Sequence, residues 1–89
     1  MEEIIETFKL YIDRDKLEAA QLYYAELIND YDLSDIPMDF VFQKIYIHAC
    51  LKKKHQFAEW LQTLYESMTT IDKIAIRQVF SYGKFLLNK

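Results

Sequence analysis

One glycine, one proline and one cysteine are all that 89 residues contain. So few turn-forming residues exclude a sheet of many short strands, whose tight connections draw on Gly and Pro. Helices joined by brief polar links are favoured instead. The lone Cys50 excludes an internal disulfide and any zinc site built from several thiolates, and it suits a reducing, cytoplasmic setting. A single glycine also leaves no Gly-rich loop to cradle a phosphate. Long apolar runs are missing as well. The longest, "IYIHACL", spans seven residues and includes His48, far below the roughly 20 residues that cross a bilayer. No membrane partner is therefore expected. The opening "MEEIIETFK" places acids where a secretory leader carries bases, so no leader is expected either.

What the chain does have is apolar bulk, 52% hydrophobic with 28% charged residues. That suffices to fill one core and solvate its surface, and residues 1–89 read as a single helical domain. Residues 2–12 place Ile4, Ile5, Phe8, Tyr11 and Ile12 on one face, which is helical periodicity. Asp15-x-x-Glu18 has the form of a capping box for a second helix over about 16–30, with Leu17, Ala20, Tyr24, Leu27, Ile28 and Tyr31 inward. Pro37 suits the first turn of a third helix over 38–53. That segment is apolar almost all round, so it belongs at the centre of the others. Its aromatic and β-branched content would also suit a strand, but its length favours helix. "KKKHQ" separates it from a fourth helix carrying Phe57, Trp60, Leu61, Leu64, Tyr65 and Met68; one long bent helix is the competing reading. Thr69-x-x-Asp72 reads as the cap of a last helix over 71–87, with Gly83 inside it at a close helix approach.

The pattern repeats. Shifted by 38 positions, Ile4, Thr7, Phe8, Tyr11, Ala20, Tyr24 and Leu27 land on Phe42, Ile45, Tyr46, Ala49, Ala58, Gln62 and Tyr65. Ile76, Val79, Phe80 and Gly83 form a third partial copy. This spacing, and "DKLEAAQLYYAEL" above all, resembles the tetratricopeptide family. The resemblance implies two helical hairpins and a closing helix that covers the end of a stack. Phe8 and Tyr46 stand where the family keeps a small residue, and no proline closes either repeat. A plain compact bundle of five antiparallel helices is the alternative.

Charge is split along the chain. Residues 1–39 carry eleven acids against three bases, a net of −8, and residues 40–89 carry three acids against eight bases, a net of +5. Such a polarity bears on partners and on association rather than on fold. The two halves can attract each other within one domain, or between copies as a homo-oligomer.

The acidic stretch "NDYDLSDIPMD" invites a calcium reading, but Asp35 falls where an EF-hand loop needs glycine and Val41 where it needs glutamate. It reads as a connector. His48 and Cys50 lie about 200° apart on a helix and cannot converge on one ion. No metal, cofactor or catalytic residue is expected, and no enzyme. Protein binding is the favoured function: a small adaptor, inhibitor or regulator that docks a partner protein in an aromatic groove. Its candidate residues are Tyr23, Tyr24 and Phe40, with Asp30, Asp32 and Asp35 as rim charges that could mimic nucleic acid. The alternative is nucleic-acid binding by Lys52, Lys53, Lys54, Lys73, Arg77 and Lys84, with Trp60 or Tyr82 for stacking.

Overall fold

Helices form wherever apolar residues recur at intervals of three and four. They are α1 (Glu2–Asp13), α2 (Leu17–Asp30), α3 (Met38–Leu51), α4 (His55–Glu66) and α5 (Lys73–Asn88). The computed structural model describes residues 2–30, 37–68 and 72–89, and no strand occurs among them. The expected all-α architecture holds: α1 and α2 form one hairpin, α3 and α4 a second, and α5 closes on α3. A radius of gyration of 12.4 Å matches the roughly 12 Å of a compact chain of this length.

α3 occupies the middle, packed against α1, α4 and α5. Val41, Phe42, Ile45, Tyr46, Ala49 and Cys50 are all buried. An isolated helix of this length is marginal in water, and the β-leaning run "FVFQKIYI" lowers its propensity further. Burial decides the outcome, since each large apolar side chain taken from water contributes about 1.5–3 kcal/mol. One strip of α3 escapes. Phe40, Lys44 and Leu51 remain exposed, so the helix is not enclosed on every side as its composition suggests.

The aromatic excess is largely a packed ladder. Tyr24 meets Phe42 at 5.8 Å and Trp60 at 6.1 Å, Phe42 meets Tyr65 at 5.7 Å, and Phe80 meets Tyr65 at 5.8 Å and Tyr46 at 5.2 Å. These centroid distances and tilted planes are the favoured geometry for aromatic pairs. The ladder ties α2 and α5 to the central hairpin.

The 38-residue repeat reappears in the backbone. Lys16 N–H donates to the Tyr11 carbonyl at 2.9 Å and Asp15 N–H to that of Ile12 at 3.2 Å. The equivalents, Lys54 to Ala49 at 2.9 Å and Lys53 to Cys50 at 3.0 Å, close α3 in the same way. Both are Schellman motifs, and both require a left-handed residue. Asp15 and Lys53 supply it, at φ 54 and 55. α3 and α4 are therefore separate helices, not one bent helix. Asp15 is not the N-cap of α2; it ends α1, one residue too early to cap the next helix. Asp72 caps α5 itself, accepting from Ile74 N–H at 3.0 Å, while Thr69 lies outside the described residues.

Gly83 is buried where α5 crosses α3. A Cβ built there would overlap Tyr46 Cε1 and stand 2.9 Å from Cys50 Sγ. Tyr46 is only 3% exposed, so its ring has nowhere to retreat. The close approach anticipated at this glycine is real. Gly83→Ala should lower stability by about 1–2 kcal/mol, overpacking outweighing the roughly 1 kcal/mol gained in helix propensity. Urea unfolding beside the exposed control Ser81→Ala measures it; an unchanged or raised midpoint contradicts the contact.

Candidate functional site

The exposed strip of α3 is the floor of a groove. α1 and α5 flank it, and Lys9, Lys44, Ile47, His48, Val79 and Tyr82 line a depression of about 470 Å³. A second depression, about 530 Å³, continues it between α1 and α3, bounded by Glu2, Glu6, Lys9, Phe40 and Lys44. Lys9 and Lys44 belong to both. The groove follows from the repeat: the first helix of each hairpin and the closing helix lie side by side. Residues 40, 44, 47 and 51 then share the face of α3 between its neighbours. Apolar Ile47, Leu51 and Val79 mix there with Lys9, Lys44, Gln43 and Gln78. Such a surface can seat apolar anchors and hydrogen-bond a peptide.

Electrostatics inside the fold consume part of the charge polarity. Asp13 Oδ1 lies 3.3 Å from His48 Nε2 and 3.9 Å from Lys52 Nζ. Asp15 Oδ1 takes Lys54 Nζ at 2.8 Å. These pairs join the turn of the first hairpin to the turn of the second. Each is partly exposed and contributes at most about 1 kcal/mol, yet all of them fix one stacking register.

The sequence-derived partner residues divide among different surroundings. Tyr23 is not free on α2; its ring packs edge-on against Phe8 at 5.0 Å and Tyr11 at 5.9 Å. Tyr24 is half-buried in the aromatic ladder, and burial pushes its phenol pKa up. Asp30 is exposed at the end of α2. Asp32 and Asp35 lie outside the described residues. Among the described residues of this set, Phe40 alone reaches the groove, 48% exposed, with Lys44 Nζ 5.3 Å above its ring. Tyr23 and Tyr24 therefore do not join Phe40 in one aromatic groove, because their rings fill the seams between α2 and the helices beneath it.

The basic set is also dispersed. Lys52 and Lys54 face Asp13 and Asp15, while Lys73 and Arg77 border a separate depression beside Tyr65 and Phe80. Lys53 closes α3, and Lys84 is exposed on α5. Cys50 is wholly buried, and burial pushes its thiol pKa up. Tyr46, beside it, is pushed up strongly, first by burial and then by the Cys50 sulfur. A thiol held neutral in the core is no nucleophile. Among the described residues, no three His, Cys, Asp or Glu side chains converge as metal ligands, and no helix is long and apolar enough to cross a membrane.

Sequence reasoning missed Lys9, Lys44, Ile47, Val79 and Tyr82 as groove residues. The available signal was Phe40, Lys44 and Leu51 recurring along one line of an otherwise buried helix. The chain matches no protein-family model, no curated protein and no solved structure, so its own geometry carries the functional reading.

Asp13→Lys would set a second ammonium beside Lys52 and remove the carboxylate that faces His48. It should destabilise the fold by about 1 kcal/mol at low salt and by clearly less in 1 M salt, where charges are screened within about 3 Å. Thermal unfolding at the two salt concentrations checks this; an equal loss at both contradicts an electrostatic register.

Proposed function

We propose that this chain is a non-catalytic protein-binding module, a small cytosolic adaptor, inhibitor or regulator built as a tetratricopeptide-like pair of hairpins with a closing helix. Its occupant is a short amphipathic segment of a partner protein, laid into the α1–α3–α5 groove. One observation carries the reading: α1, α3 and α5 leave Leu51 exposed and Ile47 and Val79 half-buried in a depression that Lys44, and Lys9 with its neighbour Glu6 at 3.5 Å, link to a second one. Apolar anchors on the partner would bury Ile47, Leu51 and Val79, and carboxylates flanking them would meet the two ammonium groups. The 38-residue repeat and the paired helix endings support the tetratricopeptide-like description, although bulky Phe8 and Tyr46 depart from it.

Nucleic-acid binding is the weaker reading, because Lys52 and Lys54 already face carboxylates, Lys53 sits apart at the end of α3, and only the three bases of α5 share a face. Dispersed lysines supply few simultaneous phosphate contacts.

Peptide display against the immobilised protein tests the proposal. Selected peptides should combine two or three apolar residues with flanking acids. Their affinity should fall about tenfold, roughly 1.4 kcal/mol, on Lys44→Glu or Tyr82→Ala. They should bind the remote control Gln56→Ala unchanged. Peptides indifferent to both groove variants would overturn the site. Tight, steeply salt-dependent binding of a labelled oligonucleotide would overturn the class.

A further inference from the structure

Two of the helices that end the packing order carry opposite charge and exposed apolar residues. α2 packs on α1, α1 on α3, and α3 on α5. α2 contains Glu18, Glu26 and Asp30 and no Lys or Arg. α5 contains Lys73, Arg77 and Lys84 and no Asp or Glu.

On α2, Glu18, Leu22 and Glu26 form one row at i, i+4 and i+8, on the face opposite buried Ala20 and Leu27. Leu22 is 67% exposed in the middle of that row, beside the small, exposed Ala25. On α5, Ile74 and Phe85 lie on the face opposite Gly83, with Arg77 and Lys84 alongside. Ile74 is 70% and Phe85 60% exposed. A terminal helix that merely closes a stack presents a polar outer face. α5 instead exposes Ile74 and Phe85 near its two ends, with Gln78 and Ser81 between them and Arg77 and Lys84 alongside.

We propose that copies of this chain associate head to tail, the acidic outer row of α2 docking on the basic outer strip of α5. The occupant of each face is thus a second copy of the same chain. Glu18 and Glu26 would meet Arg77 and Lys84, which sets Leu22 between them, over Ser81 and towards Phe85. The exposed Ala25 lets the two helix backbones approach. Because the surfaces differ, the contact is heterologous and propagates as a chain or closes as a ring. Two single helix faces make an interface at the small end of the range, so association is reversible and weakens with salt. The four residues swapped in its test lie outside the groove lining, so the test is independent of what that groove binds.

Charge-swapped chains decide it by sedimentation velocity in low salt. The wild-type protein should show a sedimentation coefficient that rises with concentration and falls back when salt is added. The variants E18K/E26K and R77E/K84E should each sediment as monomers, with circular dichroism showing that both remain helical. Mixed in equal amounts, the two variants should associate again, since each restores the opposite charge that the other lacks. A wild-type monomer at every concentration in low salt would overturn the proposal. So would association that survives both swaps, or folded variants that stay monomeric when mixed.

Discussion

The burial of α3 is the constraint on which the rest depends. Its sequence leans towards β structure, and it becomes helical because α1, α4 and α5 remove Val41, Phe42, Ile45, Tyr46 and Cys50 from water. Every other element is positioned by that requirement. α5 can lie close enough only because Gly83 has no side chain to meet Tyr46. α2 and α4 are drawn in by aromatic rings that converge on Phe42. The one face of α3 left uncovered becomes the groove.

Charge then acts on a fold that hydrophobic packing has already chosen. The acid-rich first half and base-rich second half meet at the hairpin turns, where Asp13 and Asp15 face His48, Lys52 and Lys54. Contacts so exposed add little stability, but a slipped register would bring carboxylates and ammonium groups out of reach of each other. Among the described charges not used in this way are those on α2, on α5 and at the groove rim. Those are the surfaces to which the binding proposals assign partners.

Much of this architecture was legible from spacing alone. The apolar stripes located all five helices, the isolated glycine marked a close crossing, and the shift of 38 positions paired the two hairpins. The turn chemistry was less legible. Schellman endings normally announce themselves with glycine, and here Asp15 and Lys53 take the left-handed conformation without that signal. Asp15 looked like a cap because its type suits one, yet its position was decided by the end of the preceding helix. The site was harder still. Tyr23 fell off the apolar stripe of α2, but α1 bends no rule in receiving it: Phe8 and Tyr11 lie just where its ring reaches. A groove made by three helices distant in sequence leaves only a faint trace in any one of them, and on α3 that trace was Phe40, Lys44 and Leu51.

Native-state hydrogen exchange tests the central role of α3 most directly, because it reads how each helix opens. Amides from Val41 to Cys50 should exchange only through global unfolding and be the slowest in the chain, with those of α2 and α5 opening at lower free energy. Amides of α3 that exchange as fast as those of α2 would contradict a fold organised around that helix.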